Sequence, residues 1–266
     1  MPGSVIITGA SGGIGSVVTR ELSAQGLHIV MASRDAAKAE KIRQEILRAV
    51  PQAGIEILPL DLGSLGSVRQ FADAFGDRPV SALFHNAGVI SRGYSLTPDG
   101  FENTFCVNYF APFLLTQLLL PRLLADARVV CMVSLTCRFA QVDEASLRPV
   151  EKDFSQLGTY ARSKLALLHF SQELARRHPG LRVNLADPGI VNSNMISLGR
   201  WFDPLADVLF RPFIKSPQQG AVPALAALAS PEGGGYFAGH RRTPVAERFR
   251  DPALSLRLWE ETERLL

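Results

Sequence analysis

Several features are scarce in this chain. Its 266 residues include only three cysteines and two tryptophans, and 28 basic against 25 acidic residues leave a net charge of +3. The odd trio Cys106, Cys131 and Cys137 sits at no metal-like spacing. It argues against a disulfide framework or a zinc site and fits a reducing compartment. So weak a charge leaves no electrostatic footprint for nucleic acid. Disorder is excluded by the 47% hydrophobic content, because such chains are poor in apolar residues. The 22 glycines and 17 prolines are too few for a collagen-like or low-complexity chain. Long apolar runs are also missing. The richest, Phe110–Ala125, is interrupted by Thr116, Gln117, Pro121 and Arg122 and falls short of the roughly 20 residues a membrane span needs. Met1-Pro2-Gly3-Ser4 shows neither the basic region nor the apolar core of a signal peptide. These absences predict a soluble, cytoplasmic protein with no membrane span, no nucleic-acid partner and no metal.

What the chain does contain is a rhythm. Short β-branched runs (Val5–Ile7, His28–Ala32, Ile55–Leu58, Ser81–Phe84, Arg128–Val133, Arg182–Ala186) alternate with helical patterns. The helices are expected at Ile14–Ala24, Asp35–Val50, Val68–Phe75, Phe101–Leu124 with a break near Pro112, Thr159–Arg177, Gln218–Leu228 and Pro252–Leu265. Strands that are apolar almost throughout belong to a sheet covered on both faces, and repeated β-α alternation makes that sheet parallel. The expected fold class is α/β: one Rossmann-type domain over residues 1–266, a doubly wound parallel sheet with helices on both faces. No linker or repeat divides it. One stretch breaks the rhythm, at about residues 190–217. Its length and its apolar residues (Met195, Ile196, Leu198, Trp201, Phe202, Leu205, Leu209, Phe210, Phe213) suit a substrate lid, ordinary packing or an interface patch alike.

Thr8-Gly9-Ala10-Ser11-Gly12-Gly13-Ile14-Gly15 lies between the first strand and first helix. Gly9 permits a tight turn, Gly13 and Gly15 permit close backbone approach, and the helix N-terminus offers N–H groups to a diphosphate. A glycine-rich turn without a ligand is the plainer alternative, and the strand–loop–helix context favours dinucleotide binding.

The spacing Thr-Gly-x-x-x-Gly-x-Gly resembles the short-chain dehydrogenase/reductase family. So do Asn86-Ala87-Gly88 after the fourth strand, Asn108 on the next helix, Ser134 at the end of the fifth strand, Tyr160-x-x-x-Lys164 and Pro188-Gly189 after the sixth. The stretch Asn108–Thr116 and the terminal Trp259-Glu260-Glu261 resemble the retinol-dehydrogenase-like branch. The resemblance implies that Tyr160 is the acid/base, Lys164 binds the nicotinamide ribose and tunes Tyr160, Ser134 bonds the substrate oxygen, and Asn108 holds Lys164 through a water. A free phenol is a poor acid/base at neutral pH, and an ammonium four residues along the same helix face lowers its pKa. Registering on Arg128-Val129-Val130 places Ser134 at the family's serine, whereas registering backward from Tyr160 places Leu135 there.

Cofactor contacts implied by the same resemblance are Gly9, Ser11, Gly13, Ile14, Gly15, Asp61, Leu62, Asn86, Ala87, Gly88, Tyr160, Lys164, Pro188, Gly189, Ile190 and Ser193. For Asp61 a loop-capping role is the alternative. At the end of the second strand, Ser33 and Arg34 suit the 2′-phosphate of NADP(H). Asp35 reads as the cap of the following helix, so NADP(H) is preferred and NAD(H) stays open. His85, beside Asn86, reads as structural. The implied activity interconverts a lipophilic ketone or aldehyde and its alcohol, in a homodimer or homotetramer as is usual in the family. A different biosynthetic reaction on the same fold (dehydration, isomerisation or cyclisation) and a non-catalytic NADP(H)-binding regulator are the alternatives.

Overall fold

The computed structural model describes residues 3–191 and 215–266. Most of the expected lid at 190–217, its nine apolar residues and Ser193 lie outside the described residues. Eight strands form one sheet in the order β3-β2-β1-β4-β5-β6-β7-β8. They are β1 Ser4–Thr8, β2 Ile29–Ser33, β3 Ile55–Pro59, β4 Val80–His85, β5 Leu123–Met132, β6 Arg182–Ala186, β7 Gly235–Phe237 and β8 Arg242–Pro244. All neighbouring pairs are parallel except β7–β8. The helices are α1 Gly13–Ala24, α2 Ala36–Ala49, α3 Leu65–Phe75, α4 Asn103–Phe105, α5 Ala111–Leu119, α6 Gln156–Arg177, α7 Pro217–Ala229 and α8 Pro252–Leu265. This is the doubly wound Rossmann arrangement. Strand order reverses between β1 and β4, and that switch opens a crevice beyond the carboxyl ends of the strands.

Side chains alternate along each strand, so the sheet has two apolar cores. Ile6, Leu83, Val129, Cys131, Val183 and Leu185 face one, with α3, α5, α6 and α8. Val5, Ile7, Ala82, Phe84, Val130 and Met132 face the other, with α1 and α7. In the first core Phe113 and Phe170 pack on the buried Trp259, with ring centroids 4.7 and 5.7 Å away. These rings clamp α5, α6 and α8 together, and truncating one of them costs about 3–5 kcal/mol.

The break expected near Pro112 is a π-turn, Cys106–Phe110, between α4 and α5. Two other expectations need correction. Two strands beyond the six expected, Gly235–Phe237 and Arg242–Pro244, complete the sheet as β7 and β8. Asn103–Arg122, which overlaps the apolar run Phe110–Ala125 expected to fall short of a span, is long and apolar enough by length and composition to cross a membrane. Most of it is buried inside the fold, where it contributes to the first core.

Candidate active site

The crevice is built from strand ends. Gly9 leaves β1 at φ +64°, and Gly12 N–H closes a turn on Gly9 O at 2.9 Å. A Cβ on Gly15 would lie 2.3 Å from Gly9 O and 2.9 Å from Ala10 Cα, so the helix meets the loop at a distance only glycine permits. The end of β4 locks this loop. Thr8 Oγ1 accepts from both Asn86 N and Ala87 N at 3.1 Å, while Asn86 Nδ2 donates to Thr8 O at 2.9 Å. α1 then starts at Gly12 with no side-chain cap and no acidic residue in its first turn. Ile14 turns its side chain toward Gly220 of α7, leaving the backbone amides of the first turn at the crevice.

At the next strand end, Ser11 and Ser33 hydroxyls hydrogen-bond at 3.1 Å. Arg34 is exposed. Asp35 accepts from Lys38 N at 2.9 Å and caps α2. Asp61, past β3, accepts from Gly63 N within its own loop, and Leu62 is buried beside it. On the far side Gly189 turns at φ +71°, its amide bonded to Asp187 Oδ1, and Ile190 is 44% exposed.

The polar core of the site lies between β4, β5 and α6. Tyr160 and Lys164 share the inner face of α6 and both are buried. The Ser134 hydroxyl lies next to the Tyr160 phenol and accepts from Thr136 N and Thr136 Oγ1 at 3.2 and 3.0 Å. Of the two registers left open by the sequence, the structure brings Ser134, rather than Leu135, to Tyr160. Lys164 Nζ donates to Met132 O at 2.9 Å. Asn108 sits in the π-turn, where Oδ1 accepts from Val89 N and Nδ2 donates to Val89 O and Ser163 Oγ. Lys164 Nζ and Asn108 Oδ1 converge on Gly88, 3.1 and 3.3 Å from where its Cβ would be.

Electrostatics are dominated by burial. It depresses Lys164 to about 8 and raises Tyr160 to about 12, with the neighbouring Ser134 hydroxyl opposing the rise. A lowered phenol pKa was expected from the neighbouring ammonium. Lys164 instead lies 6.0 Å from the Tyr160 ring centroid and bonds to a carbonyl, so desolvation outweighs it here. His85 Nε2 is 2.8 Å from Thr116 Oγ1, whose own proton goes to Pro112 O. Burial, with Lys164 second, depresses His85 to about 3. It is therefore a neutral tie between β4 and α5. Sequence reasoning passed over Asp187 and Tyr236, which hydrogen-bond beside Tyr160. An acid preceding Pro-Gly looks like a turn residue until its burial is seen.

The sequence model of the short chain dehydrogenase family matches residues 4–200. The chain belongs to the short-chain dehydrogenase family. It is 38% identical to human retinol dehydrogenase 12, over all of this chain and 87% of that protein. It is 40% identical to the WW domain-containing oxidoreductase of Danio rerio, over 98% of this chain and 68% of the relative. An uncharacterized protein from Mycobacterium paratuberculosis, 33% identical, has a solved structure that superposes with a TM-score of 0.80, covering 99% and 92% of the two chains. As a short-chain dehydrogenase the protein is an NAD(P)(H)-using oxidoreductase that acts on CH–OH groups.

Proposed function

We propose that this enzyme interconverts a lipophilic ketone or aldehyde and its alcohol with NADP(H), using Tyr160 as acid/base. The observation that carries the reading is the buried pair Tyr160 and Lys164 on one face of α6, next to Ser134, with Lys164 Nζ donating to Met132 O. The residues present fit the dinucleotide. The Gly9–Gly15 contact leaves no room for a Cβ, and the amides at the start of α1 lack any side-chain cap. That is the chemistry of a diphosphate cradle. Ser33 and Arg34 would take the 2′-phosphate, since Asp35 is occupied as a helix cap. Lys164, Asn86, Gly88, Gly189 and Ile190 would line the nicotinamide end. When bound, the nicotinamide supplies or accepts the hydride.

The chain's own part is proton handling and orientation. Ser134 holds the substrate oxygen beside the phenol, Tyr160 gives that oxygen its proton in reduction and removes it in oxidation, and the buried walls keep water out. Asn108 fixes the Gly88–Val89 backbone against α6, which keeps Lys164 in place. All three cysteines are free and buried, in keeping with a cytoplasmic setting. The test is a panel of steroids, retinal, aromatic ketones and quinones, followed by NADPH consumption with NADH alongside. Tyr160→Phe should lose at least about a hundredfold in kcat. A Phe variant retaining most turnover would refute the assignment.

A further inference from the structure

Just past β5 the chain folds back on the Ser134 hydroxyl. Ser134 opens a 3₁₀ turn, Leu135–Phe139, with Cys137 N–H bonded to Ser134 O at 3.1 Å. Within that turn Leu135 is exposed and Thr136 is partly buried. Thr136 reaches Ser134 Oγ twice, donating from its backbone N at 3.2 Å and from its own hydroxyl at 3.0 Å. A serine oxygen has two lone pairs to accept with and one proton to donate. One neighbouring residue therefore engages both lone pairs, and what Ser134 still offers is its proton. On a tetrahedral oxygen that proton points away from Thr136. The scheme above gives Thr136 no part.

We infer that Thr136 is a positioning residue of the reaction: it fills the acceptor capacity of Ser134 and so fixes that hydroxyl as a donor to the carbonyl oxygen of the substrate. The inference deepens the proposed function and rests on Ser134 holding that oxygen. A carbonyl oxygen, like the alkoxide it becomes when hydride reaches the carbon, only accepts. An untethered serine hydroxyl turns among staggered positions and presents a lone pair as readily as a proton. A lone pair facing the carbonyl repels it, whereas a donor fixed in advance stabilises the charge that develops there without reorganising. The two bonds from Thr136 differ in origin. The amide comes with the turn and would be present whatever side chain stood at 136. The second bond needs a hydroxyl on that side chain, so the identity of residue 136 decides whether Ser134 keeps a free lone pair.

Thr136→Val keeps the branched shape and the backbone amide and removes only the hydroxyl. The probes are the retinal, steroids, aromatic ketones and quinones of the panel above, and the compound that wild type reduces fastest is carried through every variant. The single-turnover rate of reduction by bound NADPH should fall roughly tenfold in Thr136→Val, while NADPH affinity by titration calorimetry stays at wild type. Thr136→Ser, which retains a hydroxyl, should recover most of that rate. A double-mutant cycle then separates positioning from mere support of the turn. In a Ser134→Ala background Thr136→Val should cost nothing further, because Thr136 acts through the Ser134 hydroxyl. The same loss in both backgrounds would overturn the inference, as would a wild-type rate in Thr136→Val or no recovery in Thr136→Ser. Should Thr136→Val fail to fold by circular dichroism, Thr136→Ala takes its place under the same expectations. A Ser134→Ala enzyme with wild-type turnover defeats the role given to Ser134 in the proposed function. Lost turnover in that variant beside an unchanged Thr136→Val defeats only the role of Thr136.

Discussion

The N-termini of α1 and α6 both border the crevice, yet they are built in opposite ways. α6 begins with Ser155, whose hydroxyl accepts from Gly158 N at 3.1 Å. α2, α3, α7 and α8 likewise begin with Asp35, Ser64, Ser216 and Asp251, each side chain accepting from a first-turn amide. Among the described residues, α1 is the one helix of eight or more residues that starts from a loop without such a cap. Four amides at a helix start have no partner within the helix. Where a serine or aspartate takes one, the end is finished and structural. Where glycines leave them bare, the positive end of the helix remains available to an anion. Capping chemistry therefore separates the terminus that builds the fold from the terminus proposed to bind the dinucleotide.

The largest effect should follow from filling the space that keeps the α1 terminus bare. In Gly15→Ala the new methyl meets the carbonyl oxygen of Gly9 and the Cα of Ala10, both backbone atoms. The loop has to move, at about 1–3 kcal/mol, and the amides lose their aim. Titration calorimetry should show NADPH and NADH weakened alike, by roughly a hundredfold. In Gly158→Ala the methyl meets Ser155 Oγ, a side-chain atom that can rotate away, and cofactor affinity should stay at wild type. Equal losses in the two variants would abolish the contrast between the termini.

A smaller and more selective effect is expected one strand further out. Asp35 and Arg34 are adjacent, and the proposed preference for NADP(H) turns on their different employment. The Asp35 carboxylate bonds to Lys38 N, while Arg34 stands exposed next to the Ser11–Ser33 pair. A guanidinium facing a phosphate contributes about 1.5–3 kcal/mol, less at an exposed site. Arg34→Ala should raise the KM for NADPH by roughly tenfold and leave that for NADH unchanged. Parallel losses with both cofactors would remove Arg34 from phosphate recognition.

The contrast also explains how much could be read in advance. The alternating strands, α1, α2 and α8 were visible because buried parallel strands and amphipathic helices leave long, regular patterns. The glycine loop was visible because its residues answer to a local need, a tight turn and a close approach. Features arising from distant packing were hidden. The π-turn around Asn108 has no local marker and is stabilised by Val89 and Ser163. β7 and β8, at three residues each, are too short to show a period. The register of Ser134 was ambiguous because three short 3₁₀ turns, Leu135–Phe139, Ala145–Leu147 and Glu151–Asp153, lengthen the path to Tyr160. Asp187 gains its setting from Tyr236, 49 positions along the chain.

The smallest effect tests the finished terminus. Removing the hydroxyl in Ser155→Ala frees the Gly158 amide at the start of α6, the helix that carries Tyr160 and Lys164. An N-cap of this type contributes about 1 kcal/mol, so the midpoint of urea unfolding should fall while the slope stays constant. The proposed catalytic pair begins five residues further on, with Lys164 held by Met132 O, so kcat and the NADPH KM should not change. A changed KM with intact stability would mean that the α6 terminus also takes part in binding. The division between a capped, structural start and a bare, binding start would then fail at its weakest point.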